Sequence, residues 1–332
     1  MKETIAWAFA GTGGITNQFI TGLRSARGAK ALAVSSRSMD TARAFAARYG
    51  VEKTFDNYDA MVGDPSVDVV YIGTPHPTHR DLAVKALKAG KAVLCEKPVC
   101  INSGEMADIV GAARENRVFF MEAMWTRFTP PLCKVREWLS LGLLGEVKMV
   151  QANFGFRSPW NPQGRLLDPL LGGGALLDAG VYPVSFASMV FGPAMPEKIA
   201  AVMHLGETGV DEECAALLSW GGSRTASIGA AVRTAMCSDA WVCGSEGRIH
   251  IPSYVFAHSA ELELYGKYTH RYEGEFYSNG YNYEAEEVMN CIREGKTESA
   301  VMPVDESVVI MKIMDEIRAQ GKLRYPGEEK GK

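Results

Sequence analysis

Three residues, one of them far from the other two in the chain, have side chains suited to moving a proton beside a hydride. They are Lys97 in Glu96-Lys97-Pro98, and Asp178 and Tyr182 in Gly172-Gly173-Gly174-Ala175-Leu176-Leu177-Asp178-Ala179-Gly180-Val181-Tyr182-Pro183. A tyrosine hydroxyl can deliver or take the proton that accompanies hydride transfer to a carbonyl. Unperturbed it titrates at about 10, so a neighbouring lysine cation, by favouring phenolate, would bring it into use. If residues 175–190 are helical, Asp178 and Tyr182 fall four apart on one face. Pro183 has no N–H to give the preceding turn, so the spacing predicts a break near Ala179. An aspartate and a tyrosine on a helix also serve structural ends; their combination with Lys97 is what points to chemistry.

A hydride needs a carrier. The apolar run at residues 5–10 leads into Gly11-Thr12-Gly13-Gly14-Ile15-Thr16 and then a helical pattern. Strand, glycine turn and helix N-terminus in that order hold a pyrophosphate on backbone N–H groups. Gly11 and Gly13 fill the first two positions of GxGxxG, where a tight turn and close phosphate approach exclude a side chain. Gly14 and Ile15 complete the expected pyrophosphate contacts. Thr16 stands at the third position instead of glycine, a change that loosens helix–strand packing.

The cofactor's ribose is read about 20 residues further on. There the chain has Ser35-Ser36-Arg37-Ser38, with no acid from Ala29 through Met39. An acid would bind both ribose hydroxyls of NAD and repel a 2′-phosphate. Ser36 and Arg37 offer a hydroxyl and a guanidinium fork for that phosphate, with Arg43 to assist. The expected cofactor is therefore NADP, ahead of NAD. Thr74, His76 and His79, in Gly73-Thr74-Pro75-His76-Pro77-Thr78-His79, belong to a loop expected beside the cofactor. Glu96 and Lys97 end a later strand of the same sheet and count as cofactor contacts by position, although Glu96 also reads as structural. His79 has two readings, lining the nicotinamide side or opening a helix. Two prolines prevent a helical His-x-x-His face, so no metal site is expected.

These residues need a framework. From residue 4 to about 121, strand-like runs (5–10, 31–35, 69–73, 92–95 and 118–121) alternate with helical stretches (41–49, 78–89, and one capped by Asn102 or Ser103 that runs to about 116). Short apolar strands between helices imply α/β architecture, a doubly wound parallel Rossmann sheet covered on both faces. Residues 1–121 are read as the dinucleotide-binding domain. A bridge follows, with a helix to about 141. Then come strands near 147–154, 198–204, 213–219, 225–232, 239–243, 248–251 and 261–265, many at hairpin spacing. Residues 122–332 are read as an α+β substrate-binding and oligomerisation domain with an open, mostly antiparallel sheet. Helices are expected near 174–190, 282–294 and 305–320. Residues 147–154 carry apolar side chains on both faces, and an exposed sheet face is unstable in a monomer. The expectation is a homodimer or higher homo-oligomer through the C-terminal sheet.

Composition narrows the class. A chain of 332 residues accommodates two cores. A net charge of -4 speaks against a general nucleic-acid or anionic-membrane binder. No uninterrupted apolar run approaches the roughly 18–20 residues of a membrane span. Residues 5–10 fall short of the roughly 7–15 of a signal-peptide core, so they read as a buried first strand. Seven scattered cysteines, never spaced as CxxC, suit a reducing cytoplasm.

Gly-x-Gly after the first strand, Glu96-Lys97-Pro98 and Gly-Gly-Gly-Ala-Leu-Leu-Asp-x-Gly-x-Tyr together resemble the glucose–fructose oxidoreductase/inositol dehydrogenase (Gfo/Idh/MocA) family over nearly the whole chain. The resemblance implies a Rossmann domain followed by an open antiparallel sheet, with the site between them. It makes Lys97 the motif lysine, Asp178 the helix acid, and Tyr182 the occupant of a position most often histidine. Tyr182, with Met121-Glu122-Ala123-Met124-Trp125-Thr126-Arg127-Phe128 and Glu207-Thr208-Gly209-Val210-Asp211, is most similar to the branch of dimeric dihydrodiol dehydrogenases and NADP-dependent D-xylose dehydrogenases. That branch implies NADP, oxidation of a sugar, polyol or vicinal diol, and an aromatic-lined pocket including Trp125 and Phe154. Arg157 and Trp160 are further candidate walls. Tyr182 would be the general acid/base, Lys97 would tune it and hold the reacting oxygen, and Asp178 would orient substrate or complete a proton path. Two other readings remain. A non-catalytic dinucleotide sensor would need the glycine loop and Arg37 but not Lys97, Asp178 and Tyr182 together. A redox-assisted glycosidase or lyase would keep NAD tightly bound and recycle it in each turnover.

Overall fold

The computed structural model describes residues 2–266 and 268–328; the end of the charged tail, residues 329–332, lies outside the described residues. The chain forms two compact units. The first comprises Met1–Cys100, Gly104–Phe128 and Phe276–Ser307, and the second Ile101–Ser103, Thr129–Glu275 and Val308–Lys332.

The first unit is built on six parallel strands: β1 (Ile5–Ala10), β2 (Ala29–Ser35), β3 (Lys53–Phe55), β4 (Val69–Ile72), β5 (Ala92–Glu96) and β6 (Phe120–Ala123). Their order is β3-β2-β1-β4-β5-β6. β1, β4, β5 and β6 are buried at every position, which is why they read as continuous apolar runs and not as alternating ones. The helices are α1 (Gly14–Leu23), α2 (Met39–Tyr49), α3 (Tyr58–Val62), α4 (His79–Lys88) and α5 (Ser103–Asn116). The strand order reverses between β1 and β4, and a dinucleotide lies outside the carboxyl ends of strands at such a point. β3 and α3 left no periodic signal, being three and five residues long.

The units depart from the sequence boundary at 121/122. Residues 122–128 and 276–307 fall in the first unit, and residues 101–103 in the second. α8 (Tyr281–Arg293) packs against α1. A Cβ at Gly22 of α1 would stand 2.5 Å from Asn279 Oδ1 and 2.8 Å from the Asn282 nitrogen, so glycine permits the approach. Asn279 also donates from Nδ2 to the Gln18 carbonyl at 2.8 Å.

The second unit holds an eight-stranded sheet: β7 (Val147–Gly155), β8 (Lys198–Leu205), β9 (Asp211–Ser219), β10 (Thr225–Ala231), β11 (Ala240–Gly244), β12 (Gly247–Ile251), β13 (Ser259–Leu264) and β14 (Tyr268–Glu273). The order is β14-β13-β12-β11-β7-β10-β9-β8. Only the β7–β10 pair is parallel. Period-two alternation buries Val150, Ala152, Ala216, Leu218, Ile228, Val242 and Ile249 on one face. The opposite face leaves Val202 71% and Leu217 62% exposed. β14, exposed or half-exposed along its whole length, has no apolar stripe and was not legible in advance.

α6 (Pro130–Ser140) packs on β13 and β14 and α7 (Val181–Phe191) on β7 and β10, and α9 spans Val304–Gly321. A π-helical turn, Leu176–Gly180, leads into α7. This is the expected break, since Pro183 cannot return a hydrogen bond to Ala179. Residues Pro169–Phe191 are, by length and composition, apolar enough to cross a membrane. That corrects the count of uninterrupted apolar residues, which the glycines of this segment break up. The most apolar window here is 83% buried in the protein's own core, as a central helix of a globular fold is.

Candidate active site

The first unit supplies a phosphate cradle. Gly11 adopts φ +94, where its N–H donates to the Ser35 carbonyl at 2.9 Å. A Cβ there would stand 3.0 Å from Thr74 Cγ2. Gly13, extended, opens α1 with no side-chain cap, and a Cβ on Gly14 would meet nothing within 4 Å. The uncapped first-turn N–H groups, with Ile15 half-buried behind them, fit a pyrophosphate. Thr16 does not loosen the packing as expected. It is fully buried, its hydroxyl donating to the Gly73 carbonyl at 3.5 Å. A Cβ on Gly73 would come within 2.5 Å of Thr16 Oγ1. The missing glycine of the motif has thus moved across to the residue after β4, a compensation no local pattern reveals.

At the end of β2, the Ser36 and Thr41 hydroxyls share a hydrogen bond of 2.6 Å. Arg37 and Arg43 are exposed and form no ion pair among the described residues. Across the sheet, His79 opens α4 and is fully buried. Its Nε2 lies 2.7 Å from the Thr74 carbonyl and Nδ1 3.1 Å from the Pro98 carbonyl. Burial pushes its pKa down against the pull of those carbonyls. With both ring nitrogens facing backbone, His79 ties the Thr74 loop to the Lys97-Pro98 segment. Of its two readings, the opening of a helix is seen directly in α4. His76 is buried edge-on to it, ring centroids 5.7 Å apart.

Glu96 also holds the sheet's interior together. It is buried and accepts the Tyr71 hydroxyl at 2.5 Å, and Tyr71 stacks on Phe19 at 3.8 Å. Lys97 follows, half-buried, its N–H donating to Glu96 Oε2 at 3.3 Å and its bond to Pro98 cis. Glu284 of α8 is buried with neither carboxyl oxygen hydrogen-bonded. Burial, then the charge of Glu96, pushes its carboxyl well above the usual range. Trp125 is buried, stacked on Tyr281 at 4.9 Å. Gly280, at φ +98, leaves room for its ring.

In the second unit Asp178 sits in the π turn, buried, and accepts from Arg165 Nη1 at 2.6 Å. Arg165 comes from a turn of no periodicity and had not been singled out. Tyr182, in the first turn of α7, is buried and meets Phe154 edge to face, centroids 5.4 Å apart. Phe154 in turn touches Phe156 and Phe256 at 5.9 and 6.0 Å. Tyr254 is buried nearby without a hydrogen bond to its hydroxyl. Burial, then Tyr182, pushes the Tyr254 pKa well up. Of this aromatic group the sequence reading named only Phe154, although Phe154 and Phe156 share a period-two face. Trp160 is exposed with Arg233 over its ring at 5.5 Å, and Arg157 is exposed.

Comparison with known proteins agrees with both units. Residues 5–124 match the oxidoreductase family with an NAD-binding Rossmann fold, and residues 132–250 match the GFO/IDH/MocA C-terminal domain. The chain belongs to the Gfo/Idh/MocA family. This Gfo/Idh/MocA protein is an oxidoreductase, a dehydrogenase acting on CH–OH groups. It is 38% identical over 329 residues to trans-1,2-dihydrobenzene-1,2-diol dehydrogenase of Xenopus laevis, covering 96% of this chain and 99% of that one. The human protein of the same name is 35% identical over 340 residues, 98% and 99% of the two chains. Among solved structures, aldose-aldose oxidoreductase from Caulobacter crescentus, complexed with glycerol, shares the fold with a TM-score of 0.87 at 22% identity, over 96% of this chain and 98% of that one. A 3-ketoreductase from Actinomadura kijaniata, solved with TDP-benzene and NADP, gives 0.81 at 23%, over the same shares.

Proposed function

We propose that this Gfo/Idh/MocA protein is an NADP-dependent dehydrogenase of vicinal diols, with ring diols preferred and sugars or polyols next. The observation that carries the reading is Tyr182, buried at the start of α7 among Phe154, Phe156, Phe256 and Tyr254, one turn beyond an Asp178 held by Arg165. Flat aromatic faces suit a ring that carries two adjacent hydroxyls. The dihydrodiol dehydrogenase relatives support this class of substrate.

Bound NADP would accept the hydride released from the carbinol carbon. Gly11, Gly13, Gly14 and Ile15 would hold its pyrophosphate, Ser36 and Arg37 its 2′-phosphate, with Thr74 and His76 alongside. Tyr182 takes the hydroxyl proton as the C–H bond breaks. The Lys97 cation favours the phenolate that does so and holds the reacting oxygen. Asp178, paired with Arg165, orients the second hydroxyl. The exposed Val202 and Leu217 on the open sheet face support a homodimer formed through the second unit.

The test is absorbance at 340 nm with NADP and a panel of ring diols, aldoses and polyols. One NADPH released per diol consumed supports the reading. Turnover without net NADPH points to the redox-assisted glycosidase or lyase, and dinucleotide binding without turnover to the sensor.

A further inference from the structure

The segment that carries Asp178 and Tyr182 begins at an unusual turn. Gly172 adopts φ +69 and Gly174 φ +124, and the π turn follows directly. Beneath it lies Asp211, the first residue of β9, with no exposed surface. Asp211 Oδ2 accepts the Leu176 N–H at 2.7 Å, one of the first-turn donors that no carbonyl of the helix itself can satisfy. Asp211 Oδ1 has no hydrogen-bond partner, and a Cβ on Gly174 would collide with it. From the other side the Tyr325 hydroxyl donates to the Gly173 carbonyl at 2.6 Å. Asp211 and Tyr325 thus grip both ends of one peptide turn. A carboxylate at that place faces the positive end of the helix.

We propose that Asp211 is a positioning residue for the reaction, its carboxylate fixing the first turn of the segment and so the placement of Asp178 and Tyr182. The proposal rests on the reading of Tyr182 given above for its catalytic half, while its structural half stands alone. The charges around Asp211 are few. Arg318 of α9 is the facing cation, held by Asp315 and Glu328 at 2.8 and 2.9 Å and lying over the Tyr325 ring at 5.3 Å. Cys214 on β9 and Tyr325 both feel the Asp211 charge, and both are pushed well up, chiefly by burial. On the neighbouring residue, Glu212 lies 4.0 Å from Arg233.

Burial raises the Asp211 carboxyl to about 6, against the opposing pull of the Leu176 and Ala175 amides and of Arg318. A raised pKa means that the closed turn binds the proton more tightly than an opened, hydrated one does. The Leu176 amide holds the ionised carboxylate at neutral pH, and closure is favoured further as pH falls through about 6.

Two measurements test this. In the wild-type protein, hydrogen exchange at the Leu176 amide, corrected for its intrinsic pH dependence, should gain about tenfold in protection between pH 8 and pH 5. Asp211→Asn keeps an acceptor but removes the titration. It should fold, bind NADP as the wild type does, and protect Leu176 equally at pH 8 and pH 5. Asp211→Ala, which removes the acceptor, should lose protection at Leu176 at both pH values and lower kcat several-fold. Leu176 protection that does not rise as pH falls overturns the proposal, as does an Ala variant that keeps wild-type protection and kcat. If no diol is oxidised, the functional reading fails separately and the exchange data alone decide whether Asp211 grips the turn.

Discussion

The exchange of bulk between Thr16 and Gly73 makes a quantitative prediction. An alanine Cβ at residue 73 would stand 2.5 Å from Thr16 Oγ1 and 2.9 Å from Tyr71 Cε1. The Tyr71 ring cannot retreat easily, because it stacks on Phe19 and its hydroxyl is bound to Glu96. Gly73→Ala should therefore destabilise the first unit by about 1–3 kcal/mol, the usual cost of overpacking. Thr16→Ala removes a buried methyl and hydroxyl and should cost about 1 kcal/mol by itself. In the double variant the new methyl occupies the space that Thr16 vacates. The contact with Tyr71 stays, so recovery is partial. The double variant should be about 1 kcal/mol more stable than the sum of the single effects, well outside the roughly 0.3–0.5 kcal/mol scatter of independent sites. Urea unfolding of the four proteins, followed by circular dichroism, gives the cycle directly. Additivity within that scatter would show that Gly73 and Thr16 do not share space and would refute the compensation.

Tyr182→Phe keeps the edge-to-face contact with Phe154, so fold and NADP affinity should survive while turnover falls by about 10²–10⁴-fold. Lys97→Met should cost a similar factor, with the double variant little worse than either; normal turnover in Tyr182→Phe would move the proton step elsewhere. Arg37→Ala removes a charge-assisted contact of about 1.5–3 kcal/mol, so NADP should bind roughly tenfold to a hundredfold more weakly and NAD unchanged, as titration calorimetry would show; equal losses would make Arg37 structural. The proposed dimer predicts that the wild type sediments above 36.1 kDa and that Leu217→Glu, on the open sheet face, gives the 36.1 kDa species. A wild type that already sediments as a monomer would refute the oligomer.

The strands of the first unit were legible because burial on both faces leaves short, continuous apolar runs. The cradle was legible because few residues other than glycine adopt the φ of Gly11. What the sequence hid has a common cause. Thr16 and Gly73, His79 and Pro98, Asp178 and Arg165, and Asp211 and Leu176 are pairs 13 to 57 residues apart, beyond any helical or strand period, and neither member carries a local signal of the other. The same holds for residues 276–307, whose helical pattern was plain but whose partner, α1, lies more than 250 residues earlier. Tyr254 escaped notice because an isolated tyrosine in a short turn has no pattern to read.

The return of residues 276–307 to the first unit has a consequence for synthesis. The glycine loop and its six-stranded sheet leave the ribosome early, yet the helix that covers Gly22 is still about 150 residues behind, a delay on the order of 10–30 s at ordinary elongation rates. Through that interval the surface of α1 that α8 will cover is open to water. The nascent first unit is then a chaperone client, and a fragment ending at Phe128 would stay in that state permanently. Adding residues 276–307 as a separate peptide should rescue its solubility, much as a missing piece completes a split protein.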